Sequence, residues 1–303
     1  MQGRQDMDKK EKDVLSRKAY AKINLGLDVI RRREDGYHEV KMIMQTVSLY
    51  DVLTFAKTGT GIMVTTDKDE LPGDENNLVY KAAKLLRETY RIREGIRIDL
   101  RKNIPMAAGM AGGSTDAAAV FHGMNELFGL GMSEGEMCGM AVQIGADVPY
   151  CIQGGTALAE GIGEALTKLP DMPDCSLLIA KPDIDVSTKY VYENLHANEL
   201  CCHPDIDGMR KAVEKGDLAG ITNQMENVLE TVTIERYPVV REIKDFMKWN
   251  GAWNALMSGS GPTVFGVFES EGKAEAARKL LEKEELAKQL FTARPVSRKE
   301  AYG

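Results

Sequence analysis

A run of small residues from position 103 to 119 reads Asn-Ile-Pro-Met-Ala-Ala-Gly-Met-Ala-Gly-Gly-Ser-Thr-Asp-Ala-Ala-Ala and leads straight into a helical segment. Gly109, Gly112 and Gly113 allow backbone conformations that other residues avoid, and they remove side chains that would keep a ligand away. The first turn of a helix offers unpaired N–H groups at the positive end of its dipole, which suits a phosphate group. The pattern indicates either a phosphate-binding loop or a tight turn into a buried helix that Ser114 caps.

The common nucleotide-binding motifs do not explain this loop. It lacks the Gly-Lys-Ser/Thr ending of a Walker loop, and no Gly-x-Gly-x-x-Gly follows a predicted strand with an acidic residue beyond it. The sequence therefore excludes a Walker-type and a Rossmann-type nucleotide site.

Length and composition indicate a globular protein of two domains. The chain has 303 residues, of which 43% are hydrophobic and 28% are charged. Domains usually contain about 100–200 residues. A net charge of −7 argues against nucleic acid or an anionic membrane as the main partner. No apolar run approaches the ~20 residues that a membrane span needs.

The N-terminal residues and the cysteines both predict a cytoplasmic protein. Residues 1–12 are polar and charged where a signal peptide needs an apolar core, and we expect residues 1–15 to form a flexible extension. The five cysteines are odd in number and include no Cys-x-x-Cys pair. This usage is typical of thiols in a reducing compartment.

One cluster of His and Cys residues resembles a metal site by composition: His196, Cys201, Cys202 and His203. Adjacent cysteines point in different directions, however, and structural zinc sites use paired ligands with spacing between them. We therefore interpret this cluster as a surface loop.

The hydrophobic pattern alternates between extended and helical segments. Strands are predicted at residues 18–30, 37–54, 95–100 and 175–180, and on both sides of a turn within residues 256–268. Helices are predicted from Asn76 or Asn77 to Tyr90, from a capping box of Ser133 and Glu136 to about Gly145, and over residues 273–290. Loops are predicted around Asp147, where Pro149 prevents continuation of a helix, and over residues 183–190.

Three blocks at residues 21–27, 105–117 and 257–265 occur in the order and at the separations of a known set of motifs. They resemble the motifs of the galactokinase–homoserine kinase–mevalonate kinase–phosphomevalonate kinase superfamily. Within it, Ala-Lys-Ile-Asn-Leu at the first block, Asp-Gly-Tyr-His at 35–38 and Gly-Ala-Asp-Val-Pro at 145–149 are similar to the 4-diphosphocytidyl-2-C-methyl-D-erythritol kinase family. Five residues depart from the superfamily's generic glycine loop: Ala107, Ala108, Met110, Ala111 and Thr115. These changes keep the size and the hydroxyl character of the residues that they replace.

The resemblance implies an α+β, two-domain small-molecule kinase fold. Residues 1–167 would form an ATP-binding and catalytic domain like ribosomal protein S5 domain 2, and residues 168–303 a ferredoxin-like C-terminal domain. ATP and the acceptor would meet in a cleft between them. We expect a small-molecule substrate and a monomer or weak homodimer.

The implied reaction is ATP-dependent phosphorylation of the 2-hydroxyl of 4-diphosphocytidyl-2-C-methyl-D-erythritol, in the methylerythritol phosphate route to isoprenoid precursors. Mg²⁺ would accompany ATP, and the hydroxyl of Ser114 or Thr115 could contact it. The implied ATP-binding residues are Pro105, Met106, Ala107, Ala108, Gly109, Met110, Ala111, Gly112, Gly113, Ser114 and Thr115.

Two residues carry the implied chemistry. Asp147 would accept the proton of the alcohol or orient it, and Lys22 would stand beside Asp147 and stabilise negative charge on the reacting oxygens. From the residues alone, the preferred interpretation is the ordinary one, in which Lys22 extends to the surface, as lysines usually do, and Asp147 is a turn residue.

The implied acceptor-binding residues are Asn24, Tyr37, His38, Thr188 and Lys189. An aromatic ring can stack on a pyrimidine, and His and Asn can pair with its polar edge or with nearby hydroxyls. Tyr37 packing beside a hairpin and His38 as its solvated neighbour remain the alternatives.

Two rival functions differ from this interpretation in sequence. A sister kinase or a diphosphate decarboxylase would share the glycine loop without the blocks at 35–38 and 145–149 in these forms. A ligand sensor without catalytic activity would not need both Lys22 and Asp147.

Overall fold

The computed structural model describes residues 14–200 and 202–302, so residues 1–13 of the predicted N-terminal extension lie outside the described chain. Two compact units are present. The first contains residues 14–20, 50–104 and 112–153, and the second contains residues 21–49, 105–111, 154–200 and 202–302. Strands β1 (Val14–Arg32) and β2 (His38–Thr58) pair with each other and contribute residues to both units. The division into domains at residues 1–167 and 168–303 stays a prediction.

The first unit packs helices on three neighbouring strand segments. Strand β4 (Gly95–Arg101) lies between the end of β2, to which it is antiparallel, and β3 (Ile62–Thr66), to which it is parallel. The first-unit helices are α1 (Leu78–Tyr90), α2 (Gly112–Phe128), α3 (Glu134–Ala141) and α4 (Val148–Gln153). Helix α2 approaches β2 closely, because a Cβ atom on Gly123 would lie 2.6 Å from the ring of Phe55.

Local signals in the sequence predicted several of these elements correctly. Asn77 caps α1, and its side chain accepts a hydrogen bond from the backbone N–H of Val79. Ser133 and Glu136 form the predicted capping box of α3, although this helix ends at Ala141 and only turns follow before Gly145. Caps are predictable because both partners lie within one turn of the chain.

The second unit contains two groups of strands. Strands β5 (Thr156–Glu160) and β6 (Ala165–Lys168) are antiparallel to each other, and β5 is antiparallel to the first part of β2. The other group is a four-stranded antiparallel sheet in the order β10-β7-β9-β8. Its strands are β7 (Ser176–Lys181), β8 (Asn254–Met257), β9 (Val264–Phe268) and β10 (Gln289–Ala293).

The four-stranded sheet has the strand order of a ferredoxin-like fold. Numbered along the chain, its strands lie in the order 4-1-3-2, with helices before the second strand and between the third and fourth. The predicted ferredoxin-like architecture is thereby confirmed. The second-unit helices are α5 (Thr188–Asn194), α6 (Ile206–Lys215), α7 (Leu218–Asn223), α8 (Glu230–Arg236), α9 (Val239–Trp249), α10 (Glu271–Lys283) and α11 (Arg298–Tyr302).

Two predictions of secondary structure are wrong. The helix predicted over 273–290 ends at Lys283, and residues 289–293 form β10 because they pair with β7. The predicted loop at 183–190 contains the start of α5, whose first turn is capped by Ser187 through a hydrogen bond from the N–H of Tyr190. Tertiary pairing overrides helix propensity in the first case, and a serine cap was missed in the second.

Both tryptophans of the chain are exposed, Trp249 by 84% and Trp253 by 46%. Among residues 14–200 and 202–302, no helix combines the length and apolar composition that a membrane crossing requires.

Candidate active site

The glycine loop, residues 105–111, belongs to the second unit and leads into α2. Ala107, Gly109 and Ala111 all adopt positive φ, at 48°, 69° and 55°. Gly109 is the position that no larger residue can occupy, because a Cβ atom there would lie 2.2 Å from the carbonyl oxygen of Ser258. This conformation of the loop beside Ser258 therefore requires glycine at position 109.

A second turn, the Ser-Gly turn of residues 258–263, contacts the glycine loop. The hydroxyl of Ser258 donates a hydrogen bond to the carbonyl oxygen of Gly109 at 2.9 Å. Gly261 closes the turn by donating its N–H to the carbonyl oxygen of Ser258 at 2.9 Å. On β1, the N–H of Lys22 donates to the carbonyl oxygen of Met110 at 3.2 Å. The three blocks singled out in the sequence thus meet within the second unit.

Lys22 is buried rather than extended to the surface. It is 5% exposed, and its Nζ donates a hydrogen bond to Oδ1 of Asn24 at 2.8 Å. Asn24 is fully buried and directs its Nδ2 to the sulfur of Met42 at 3.1 Å. The side chain of Asn24 therefore fixes the Lys22 ammonium group, which adds a positioning role to the acceptor contact implied by the resemblance.

The hairpin between β1 and β2 presents aromatic groups. Tyr37 is 60% exposed, and its N–H donates to Oδ1 of Asp35 at 3.1 Å. The ring of His38 lies 5.0 Å from the ring of Tyr192, centroid to centroid. Burial, and then the charge of Arg32, lower the pKa of His38, so its ring is neutral near pH 7 and offers one donor and one acceptor. The sequence did not identify Tyr192 as a candidate site residue, because α5 reaches the hairpin only in the folded chain.

Thr188 and Lys189 open α5 and differ in their surroundings. The hydroxyl of Thr188 lies 2.8 Å from the hydroxyl of Ser260 in the Ser-Gly turn. The side chain of Lys189 is 82% exposed, and its Nζ lies 3.8 Å from Glu193. Thr188 therefore contacts a residue of the third sequence block.

The two hydroxyl residues near the start of α2, Ser114 and Thr115, differ in their surroundings. Helix α2 begins at Gly112, so Ser114 lies inside its first turn, and the alternative in which Ser114 caps the helix is wrong. Thr115 is fully buried and donates its hydroxyl to the carbonyl oxygen of Tyr20 at 2.6 Å. Ser114 is half-buried and is therefore the hydroxyl better placed to meet a phosphate oxygen or a cation.

A buried charge cluster in the first unit was missed by the sequence analysis. Nζ of Lys102 contacts Oδ2 of Asp51 and lies 2.7 Å from Oδ2 of Asp116, and all three side chains are at most 4% exposed. Burial acts to lower the pKa of Lys102, but the carboxylates of Asp116 and Asp51 outweigh it, so the pKa is raised. Desolvation raises the pKa of Asp116 well above its ordinary value, despite the attraction of Lys102. Asp51 also accepts the N–H groups of Asn103 and Ile104, just before the glycine loop.

Asp147 lies in the first unit at the start of α4. It is half-buried, and its carbonyl oxygen accepts the N–H of Cys151 at 3.0 Å. Pro149 follows in the first turn of α4, where its missing N–H costs nothing, so it starts a new helix rather than only ending the previous one. Lys22 belongs to the other unit, and its pairing with Asp147 stays a prediction.

The His and Cys cluster at 196–203 does not form a metal site among the described residues, which exclude Cys201. His203 instead directs Nδ1 to both carboxylate oxygens of Asp28, at 2.8 and 3.0 Å. No disulfide joins the described cysteines, and burial raises the pKa of the Cys175 thiol to about 12.

Comparison with known proteins identifies the family of the chain. Residues 77–155 match the model of the GHMP kinases N terminal domain, and residues 209–287 match that of the GHMP kinases C terminal domain. A 4-diphosphocytidyl-2-C-methyl-D-erythritol kinase from Lachnospira eligens is 54% identical over 276 residues, which cover 91% of this chain and 96% of the relative. The chain belongs to the 4-diphosphocytidyl-2-C-methyl-D-erythritol kinase family.

Other members of the 4-diphosphocytidyl-2-C-methyl-D-erythritol kinase family agree over similar lengths. The relative from Acetivibrio thermocellus is 50% identical over 262 residues, with 86% of this chain and 93% of the relative covered. A crystal structure of 4-(cytidine 5'-diphospho)-2C-methyl-D-erythritol kinase matches with a TM-score of 0.80 at 31% identity, covering 93% of this chain and 99% of that one. A homoserine kinase from Cytophaga hutchinsonii matches with a TM-score of 0.78 at 22% identity, covering 95% of this chain and 96% of that one, and shares the fold alone. The α+β kinase fold is thus confirmed.

Proposed function

We propose that this chain transfers the γ-phosphoryl group of ATP to the 2-hydroxyl of 4-diphosphocytidyl-2-C-methyl-D-erythritol, a step in the methylerythritol phosphate route to isoprenoid precursors. The observation that carries the proposal is the 54% identity to a kinase of this name over nearly the full length of both chains. The two GHMP kinase domains support ATP as the phosphoryl donor. Such a reaction needs a positive charge and backbone N–H groups near the phosphates. The buried Lys22 supplies the charge, and the glycine loop, whose conformation requires Gly109, supplies the N–H groups.

The nucleotide phosphates would bind at residues 105–115. N–H groups of the glycine loop and of the first turn of α2 would donate to the phosphate oxygens, where the helix dipole also favours negative charge. Mg²⁺, when bound with ATP, would neutralise charge on the transferring phosphoryl group. Of the two hydroxyls, that of Ser114 would contact Mg²⁺, because the hydroxyl of Thr115 is buried and donates to the carbonyl oxygen of Tyr20.

In the proposed reaction the 2-hydroxyl oxygen attacks the γ-phosphorus, the bond from this phosphorus to the bridging oxygen of ADP breaks, and ADP leaves. Asp147 accepts the hydroxyl proton, and the Lys22 ammonium group stabilises negative charge on the oxygens around phosphorus. Asn24 keeps Nζ of Lys22 in place through the 2.8 Å hydrogen bond. The chain thus contributes position and charge, the two requirements of phosphoryl transfer.

The cytosine ring of the acceptor would bind at the hairpin. Tyr37 offers an exposed ring for stacking, and neutral His38 offers one donor and one acceptor to the polar edge of a pyrimidine. Tyr192, in ring contact with His38, adds a second aromatic group next to this edge. Thr188 and Lys189, at the start of α5, would contribute to the same pocket.

The proposed function is tested by a coupled assay of ADP release. We expect release that depends on 4-diphosphocytidyl-2-C-methyl-D-erythritol and not on homoserine or mevalonate, with phosphorus NMR of the product showing a new phosphate ester. Release with homoserine or mevalonate in place of the cytidine compound would assign the chain to a sister activity. Nucleotide binding without turnover on any of the three would favour a ligand sensor.

Tyr37→Ala is expected to raise the KM for the cytidine acceptor roughly tenfold or more and to change the KM for ATP less than about twofold, because the variant loses a stacking surface. Tyr37→Phe is the matched control, since it keeps the ring and should keep the acceptor KM near the wild-type value. Steady-state kinetics with each substrate varied in turn make the measurement. Equal increases in both KM values for Tyr37→Ala would refute Tyr37 as the cytosine platform.

We also propose a cytoplasmic location and a monomeric or weakly dimeric state. The location rests on the cysteines, which are odd in number and include no Cys-x-x-Cys pair. Sedimentation velocity at two protein concentrations would distinguish a monomer from a concentration-dependent dimer.

A further inference from the structure

Asn227 lies just before α8 in the second unit, and both hydrogens and the oxygen of its side-chain amide form hydrogen bonds with backbone groups. Its Nδ2 donates to the carbonyl oxygens of Met257 and Gly259, both at 2.8 Å. Its Oδ1 accepts the N–H of Leu229 at 3.0 Å. The side chain is 5% exposed, so water does not replace these partners. A buried amide that holds two carbonyl groups on either side of Ser258 fixes the start of the Ser-Gly turn.

The backbone around Asn227 is itself anchored to β1. The N–H of Leu27 donates to the carbonyl oxygen of Glu226 at 2.9 Å, and the N–H of Val228 donates to the carbonyl oxygen of Leu27 at 3.1 Å. Leu27 belongs to the strand that carries Lys22 and Asn24. Asn227 therefore connects the strand of the proposed catalytic lysine to the Ser-Gly turn.

Glu230 strengthens the same attachment from α8. Its Oε1 accepts the N–H of Met257 at 2.9 Å, and its Oε2 pairs with the Lys244 ammonium group. The carbonyl of Met257 is bound by Asn227 and its N–H by Glu230, so both polar groups of this residue are held by side chains.

Ser258 of the Ser-Gly turn determines where Gly109 lies. The Ser258 hydroxyl donates to the carbonyl oxygen of Gly109 at 2.9 Å, and a Cβ atom on Gly109 would lie 2.2 Å from the carbonyl oxygen of Ser258. With contact this close, movement of Ser258 displaces the glycine loop. Displacements of about 1 Å in groups that orient a substrate have large effects on catalysis.

We propose that Asn227 is a positioning residue for the nucleotide: through Met257 and Gly259 it fixes the Ser-Gly turn, and through Ser258 it sets the position of the glycine loop that binds the phosphates. This inference rests on the proposed function, in which residues 105–115 bind ATP. Asn227 acts on the glycine loop through backbone groups.

The test compares Asn227→Asp with a matched variant, Asn254→Asp. In the first variant a carboxylate oxygen replaces the Nδ2 donor and faces two carbonyl oxygens. Asn254 on β8 makes a similar bond, from Nδ2 to the carbonyl oxygen of Thr222 at 2.7 Å, which does not involve the Ser-Gly turn. We expect Asn227→Asp to raise the KM for ATP and the Kd for ADP roughly tenfold. The acceptor KM should rise less, because, among the described residues, the turn is hydrogen-bonded to the acceptor pocket only through Ser260 and Thr188. Asn254→Asp should leave all three constants within about twofold of wild type.

Asn227→Ser is measured beside Asn227→Asp, because it removes the two Nδ2 donors without adding a charge. It tests the role of Asn227 if the aspartate variant does not fold. Ser258→Ala, which removes the bond to Gly109, should also raise the ADP Kd. The double variant Asn227→Ser/Ser258→Ala should weaken ADP binding by less than the product of the two single effects, because both changes act on one turn.

Three results would overturn the inference. The first is a KM of ATP and a Kd of ADP within twofold of wild type in both Asn227 variants. The second is an equal increase in the KM of ATP and the KM of the acceptor. The third is a double variant, Asn227→Ser/Ser258→Ala, whose effect on the Kd of ADP equals the product of the two single effects. Calorimetry measures the Kd of ADP without the acceptor, so it judges Asn227 even if the wild-type protein fails to phosphorylate the cytidine substrate. Absence of that turnover would count against the proposed function alone.

Discussion

Asp147→Asn is expected to lower kcat by about 10²–10⁴-fold, with little change in melting temperature, because the amide cannot accept the proton of the acceptor hydroxyl. Asp147 is half-buried at the start of a short helix, where asparagine has nearly the same shape and capping ability. Steady-state kinetics and thermal unfolding by circular dichroism make the measurement. Asp217→Asn is the matched control, since Asp217 also precedes a short helix and caps it by accepting the N–H of Gly220.

The same experiment extends to Lys22. We expect Lys22→Met to lower kcat by about 10²–10³-fold, because the variant keeps the length of the side chain and loses the charge. Lys18→Met serves as control on the same strand, where Lys18 is exposed. If the two residues act as a unit, the double variant should be little worse than the poorer single variant. Turnover near wild type in either single variant would remove that residue from the mechanism.

Lys102→Met is expected to lower the free energy of unfolding by about 3–5 kcal/mol, because two buried carboxyl groups lose the cation they share. Nζ of Lys102 contacts Asp51 and lies 2.7 Å from Asp116, and none of the three side chains is more than 4% exposed. Denaturant unfolding followed by circular dichroism measures the loss. Lys81→Met, at an exposed position of α1, is the control and should change the free energy of unfolding by less than about 0.5 kcal/mol.

The stability lost in Lys102→Met should depend on pH. The folded-state pKa of Asp116 is raised by burial, so its stabilising contribution is present at low pH and is lost as the pH rises through that pKa. Without Lys102 this pKa rises further, because the attraction that opposed burial is gone. The variant should therefore be less impaired at about pH 5 than at about pH 8. An equal deficit at both pH values, or no recovery when Asp116→Asn is added, would contradict this assignment.

Signals that lie close together in the sequence predicted much of the fold. Asn77 and the pair Ser133 and Glu136 identified helix starts correctly, because a cap and its backbone partner are neighbours in the chain. Alternating residues predicted the central part of β1. The three sequence blocks pointed to the kinase family, and within the second unit they meet at Lys22, Gly109 and Ser258.

The features that were missed depend on residues distant in sequence. Lys102 finds Asp51 and Asp116 at separations of 51 and 14 residues, and nothing next to Lys102 marks it as a buried lysine. Tyr192 reaches His38 only once α5 packs near the hairpin. Residues 289–293 follow a helix rich in Glu, Lys and Leu, and only their pairing with β7 makes them a strand.

The exposure of both tryptophans limits what intrinsic fluorescence can report. The indoles of Trp249 and Trp253 already contact water in the native protein, so their emission should shift little when the chain unfolds. Phe55 and Phe121, by contrast, are fully enclosed in the first unit. An indole placed at either phenylalanine, with Trp249 and Trp253 replaced, would give that interior an optical signal of its own.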